Sequence, residues 1–195
     1  MKVDEIMKKS KAMWWLDGIP ELATGTISIL LGIITYLQKA FEGCRACTVA
    51  LSLLMMLLIL SGPRIISFIK SRTTWEKVGY VVPSSGWRKN RTVMTLVVLL
   101  IILVPLLVAL FWPGLWWAVV ALLPFGVFTM VAIQSGLLRF LLYAVLCGLI
   151  PLAIARTCGD IGSCISTALI LMGIPLLIGG TVSAIKFRKE FGGHE

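Results

Sequence analysis

The sequence predicts an all-α fold, a polytopic membrane bundle of six transmembrane helices with both termini cytoplasmic, and three observations predict it. Of 195 residues, 58% are hydrophobic and only 14% charged, against about half and about a quarter in soluble domains. The mean hydropathy is +0.98, and a globule this small leaves too much surface in water to hide that much apolar side chain. Nearly uncharged runs also recur at the roughly 20-residue length that a hydrocarbon core about 30 Å thick requires.

Residues 1–16 are a basic, amphipathic lead-in suited to lying along the inner surface, with Ile6, Met7, Met13, Trp14 and Trp15 toward lipid. A helical hairpin follows over 19–68, made of the spans Ile19 to Leu37 and Cys47 to Phe68. Ser61, Gly62, Pro63 and Arg64 interrupt the second span, and an Arg is tolerated near a helix end because its stem reaches back to the headgroups. Arg64 is therefore expected at an interface. Residues 69–91 form a basic cytoplasmic connector, carrying six basic residues from Lys70 to Arg91 against the single acid Glu76. Such a segment binds anionic headgroups at about 1 kcal/mol per nearby charge. A four-helix part occupies 92–185 with spans Thr92 to Phe111, Leu115 to Ile133, Leu137 to Ala155 and Ile165 to Ile185, and a tail runs over 186–195. Pro105, Pro124, Pro151 and Pro175 fall one in each of these spans and are expected as ordinary kinks.

The formal charge of +9 is compatible with a nucleic-acid partner, but its distribution points to lipid. Lys2, Lys8, Lys9, Lys11, Arg64, Lys70, Arg72, Lys77, Arg88, Lys89, Arg91, Arg139, Lys186, Arg188 and Lys189 fall on one side of the six spans. Only Lys39, Arg45 and Arg156 fall on the other, which is the asymmetry of the positive-inside rule. Trp14, Trp15, Trp112, Trp116 and Trp117 stand at span ends, where amphipathic rings prefer the headgroup level. The expected location is the plasma membrane, the expected partners are the bilayer and a second copy or another membrane protein, and no cofactor or nucleic acid is expected.

The opening of the first span, Asp17-Gly18-Ile19-Pro20-Glu21, carries the most chemistry. Asp17 can cap the helix, Pro20 suits its first turn, and both acids favour the positive helix end. Asp17, Glu21, Thr24, Gly25, Ser28 and Gly32 continue at helical spacing on one face, a small-residue stripe that lets another helix approach closely. Gly179 with Ser183 and Gly180 with Ala184 form similar faces in the last span. An ionisable group below the interface is a functional candidate by default, so Asp17 and Glu21, with Arg64 or Arg139 as counter-charge, form the candidate intramembrane polar site. Capping and packing are preferred over ion handling for these acids. Together with the connector segment Arg72 to Val81, this opening resembles a group of small uncharacterised multi-pass membrane proteins of bacteria and archaea. The resemblance implies a polytopic membrane protein and no activity.

Five cysteines complete the inventory. Cys44 and Cys47 fall in the first outer loop, Cys158 and Cys164 in the last, and Cys147 within the fifth span as a small apolar residue. Structural disulfides among the four outer thiols, which allow three pairings, are the preferred reading, since extracytoplasmic pairs mostly stabilise. The alternative is thiol redox chemistry at Cys44, Cys47, Cys158 and Cys164, because Cys44-Arg45-Ala46-Cys47 places a Cys-x-x-Cys at a helix amino end. The paired outer thiols are similar to those of bacterial quinone-linked disulfide-forming membrane proteins, which have four helices. A four-thiolate zinc site ranks third. The only histidine is His194, and no phosphate-binding glycine loop occurs, so His-dependent catalysis and nucleotide hydrolysis are not expected. The sequence thus predicts no catalytic or metal-ligating residue and a non-enzymatic architectural or accessory role. Thiol–disulfide exchange and transport coupled through Glu21 are the alternatives.

Overall fold

A computed structural model describes residues 15–73, 103, 111, 116–157 and 159–191. Among these the protein is helical, with α1 Ile19–Ala40, α2 Arg45–Thr73, α3 Trp116–Ser135, α4 Leu138–Ala155 and α5 Ile161–Phe191. Four of them, α1, α2, α4 and α5, are long and apolar enough to cross a membrane, which makes the chain a multi-pass membrane protein. The remaining helix, α3, contains the shorter apolar stretch Val120–Ile133. The predicted span Thr92 to Phe111, apart from Leu103 and Phe111, lies outside the described residues, as do the lead-in through residue 14 and the connector beyond Thr73.

Most helix limits follow the apolar runs, and two helices outrun them. At 29 residues α2 continues unbroken through Ser61, Gly62 and Pro63 to Thr73, because a proline kink in an apolar helix leaves neighbouring turns able to continue. At 31 residues α5 starts four residues earlier than expected and continues through Lys186, Arg188 and Lys189. Its early start has a local cause: the Ser163 N–H donates to Asp160 Oδ2 at 2.9 Å, a side-chain cap three residues ahead of its donor. Helices of 29 and 31 residues rise about 43 and about 46 Å, beyond the roughly 30 Å hydrocarbon thickness, so their charged ends reach headgroup depth. Leu57 and Leu60 on α2 are 64% and 62% exposed, a disposition that lipid accepts and water does not.

The described helices belong to two compact units. The first contains Trp15, α3 and α4. Gly136, at φ 68°, makes the turn between these helices, where a Cβ would be strained. The interior of this unit is aromatic: Phe140 lies edge-on to both Trp15 and Tyr143, at 5.3 and 5.8 Å, and Tyr143 edge-on to Phe128 at 6.0 Å. Such pairs add about 0.5–1.5 kcal/mol each to area burial.

The second unit contains α1, α2 and α5. Sequence order sets α5 beside α3 and α4, whereas packing joins it to the first hairpin. The reason is a seam of small residues. A Cβ on Gly25 would stand 2.9 Å from the Gly173 carbonyl oxygen, one on Gly32 2.8 Å from that of Ser166, and one on Gly180 3.0 Å from that of Gly18. These partners advance by seven residues on α1 and retreat by seven on α5, so the two helices run antiparallel in a heptad register with backbones in contact. Hydroxyls cross the seam, Ser28 donating to the Leu169 carbonyl and Ser166 to the Gly32 carbonyl, both at 2.8 Å. The small-residue face expected on the first span is therefore present at Gly25, Ser28 and Gly32. Thr24 departs from it: its side chain is exposed and donates to the Pro20 carbonyl at 2.7 Å. On α5 it is Gly180, Ser183 and Ala184 that meet Gly18.

Candidate functional site

The start of α1 assembles the most unusual chemistry in the described chain. Gly18 takes a left-handed conformation, φ 71°, at the helix N-cap, and Pro20 occupies the first turn. Asp17 thus stands one residue before the cap position predicted for it, yet its Oδ1 still accepts the Ile19 N–H at 3.2 Å. Its other oxygen, Oδ2, lies 3.1 Å from Lys70 Nζ near the end of α2. Asp17, Glu21 and Lys70 are 3%, 1% and 1% exposed. Glu21 is one turn beyond Asp17 and within electrostatic reach of the Lys70 ammonium.

Lys70, which the sequence reading did not single out, supplies a counter-charge to Asp17. Helical geometry explains it: Gly62, Ile66 and Lys70 recur at four-residue steps, so they share a face of α2. That face is turned inward, with Gly62 and Lys70 buried and Ile66 half-buried. A Cβ on Gly62 would sit 3.1 Å from the Ile27 side chain of α1. Arg64, two residues past Gly62, points about 200° away from that face and is exposed. Arg139, the other predicted counter-charge, donates from its guanidinium to the Trp15 carbonyl and lies 5.3 Å from the Phe140 ring. The expectation that Lys70 rests on headgroups with the rest of the connector is corrected accordingly. The signal that could have found it was the Gly62, Ile66, Lys70 spacing, overshadowed by six basic residues that read as a topology marker.

Chemically, the cluster brings two carboxylates to one ammonium. Burial makes each charge costly unless it is paired, so the site is suited to holding a proton or a cation, or to fixing α1 against α2. Among the described residues no group of three or more His, Cys, Asp or Glu side chains could hold a metal ion.

At the opposite end of α1, Lys39 Nζ lies 2.7 Å from Asp160 Oδ2 and donates to Ser163 Oγ at 2.8 Å. The Lys39 hydrogen bond, helped by the Ser163 N–H, lowers the Asp160 carboxyl to about 2. This contact is solvent-exposed, with side chains 40% and 53% accessible, and screening keeps its contribution small.

The cysteines fall differently from the paired-loop expectation. Cys164 lies inside the first turn of α5, 1% exposed, rather than in a loop, because the Asp160 cap starts that helix early. Cys158 is outside the described residues. Cys147 is buried in α4, as expected of a small apolar residue. Cys44 and Cys47 are free, half-buried thiols at the turn between α1 and α2. The Cys47 N–H donates to Cys44 Sγ at 3.4 Å, and the Thr48 N–H to the Cys44 carbonyl at 3.0 Å, so Cys44 caps α2. Hydrogen bonds from the Cys47 thiol and then the Cys47 backbone hold the Cys44 thiol below the ordinary cysteine range. Set against protein-family models, curated proteins and solved structures, the chain matches none of them.

Proposed function

We propose that this chain is a six-span protein of the plasma membrane with both termini cytoplasmic, and that its role there is architectural or accessory to another membrane component. The charge asymmetry supports the orientation: fifteen of eighteen basic residues fall on the side of the two termini when six spans are drawn. On that reading the connector beyond Lys70 and the tail rest on anionic headgroups, and Arg64 and Arg139 lie at the cytoplasmic ends of their spans. The observation that carries the role is the glycine and serine seam between α1 and α5, with the Asp17–Lys70 pair at one end. Backbone-to-backbone packing of this kind suits a rigid element that others assemble on. Reporter fusions at the two ends test the topology, and opposite compartments for the two would overturn it. Cross-linking in native membranes tests the role: wild-type chain should migrate with a second copy or another membrane protein, and Gly25→Leu should release it. A monomeric wild type discards the accessory reading.

A second reading, transport coupled through Glu21, is favoured by one observation, the burial of this carboxylate to 1% beside a buried lysine. Intramembrane carboxylates near a fixed cation are the usual components of proton relays. In proteoliposomes loaded with a pH-sensitive dye and given a membrane potential, wild type should carry protons and Glu21→Gln should not. Absence of flux in both forms rejects this reading.

A further inference from the structure

We propose that Cys44 and Cys47 form a redox-active dithiol that exchanges with disulfides, Cys44 being the attacking sulfur and Cys47 the resolving one. The inference is independent of the architectural role and of transport, since it needs only the turn between α1 and α2. Its basis is geometric. The two thiols stand three residues apart across the start of α2, and Cys44 Sγ accepts the Cys47 N–H at 3.4 Å. Both side chains are half-buried, so a small disulfide can reach them. Arg45, between them, adds a positive charge on the first residue of α2.

Capping alone does not account for this arrangement. Serine caps a helix well and cysteine is not among the preferred caps, and a cap has no use for a second thiol three residues on. The same donors that satisfy the helix start stabilise thiolate on Cys44, which is the nucleophilic form. The deprotonated Cys44 Sγ attacks one sulfur of a disulfide; the Cys44–substrate bond forms, the substrate S–S bond breaks, and the departing thiolate takes up a proton. Cys47 then gives its proton to solvent and attacks Cys44 Sγ, forming the Cys44–Cys47 disulfide and expelling the second substrate thiolate, which is protonated in turn. The dithiol has lost two electrons and two protons, and the disulfide has become two thiols. The reverse sequence oxidises a substrate dithiol.

The test uses the full chain in lipid nanodiscs with glutathione disulfide as the probe. Peptide mapping of wild type should find a Cys44–Cys47 bond that appears and disappears as the glutathione ratio changes. Cys47→Ser should stall as the Cys44–glutathione mixed disulfide, and it should form that species at least about tenfold faster than Cys44→Ser forms one at Cys47. Since serine keeps the α2 cap, lost reactivity in Cys44→Ser is not lost folding. Equal reactivity of the two thiols, or no Cys44–Cys47 bond at any glutathione ratio, overturns the proposal. So does a bond from either of them to Cys158.

Discussion

Removing the ammonium of Lys70 takes away the cation that stands 3.1 Å from the buried Asp17 carboxylate. Breaking one side of such a pair costs about 3–5 kcal/mol, more than the intact pair is worth, because a buried charge loses a partner of opposite sign. Lys70→Met should therefore lower the melting temperature in detergent sharply, and Asp17→Asn with Lys70→Met should recover part of the loss. An unchanged melting temperature in Lys70→Met would show that the pair does not hold α1 to α2. Asp160 is the opposite case, paired but exposed. Its carboxyl is depressed to about 2 by Lys39 and the Ser163 N–H, below the ~3.9 of an unfolded aspartate. The contribution is thus fully present above about pH 4 and is lost as pH falls through about 2. Between about pH 7 and about pH 5, wild type and Asp160→Asn should show parallel stability profiles. Below about pH 4 the wild type should lose the margin that it holds over the variant, which thermal melts across that range would measure.

At the scale of the element, the seam makes the sharpest demand on side-chain size. Gly25→Ala puts a methyl 2.9 Å from the Gly173 carbonyl oxygen, and Gly173→Ala puts one 2.7 Å from that of Gly25. Each should cost about 1–3 kcal/mol as overpacking. The double variant should cost less than the two together, since α1 and α5 need separate only once. Gly43→Ala is the control: nothing lies within 4 Å of the new methyl, and its melting temperature should match wild type. The α1 half of this seam was legible because Gly25, Ser28 and Gly32 interrupt an apolar run at helical spacing. Its partner was less so, because Ser166, Gly173 and Gly180 match it only when α5 is read backwards in sevens, and nothing local links residues 141 positions apart, as Ser28 and Leu169 are. The Asp17 and Glu21 half of the polar cluster was likewise legible as acids at a helix start. Lys70 was not, because charge counting assigns it to the membrane surface while its place on the Gly62 and Ile66 face turns it inward.

At the scale of the whole chain, the packing order differs from the sequence order. Helices α1, α2 and α5 form one unit although α3 and α4 intervene in sequence, and hydropathy alone cannot reveal this because every span reads as an equivalent apolar run. In lipid the hydrophobic effect does not draw helices together, and association rests on close packing and interhelical hydrogen bonds. The seam supplies both, together with the hydroxyls of Ser28 and Ser166 and the Lys39–Asp160 contact. Residues 1–80 and 158–195, produced as separate chains in one membrane, should therefore associate without residues 81–157, and an affinity tag on one should recover the other after mild detergent extraction. Gly25→Leu should abolish that recovery, because the larger side chain cannot fit against the Gly173 backbone, whereas Gly43→Leu should leave it intact. Recovery that is insensitive to Gly25→Leu would mean that some surface other than the seam joins α5 to the first hairpin.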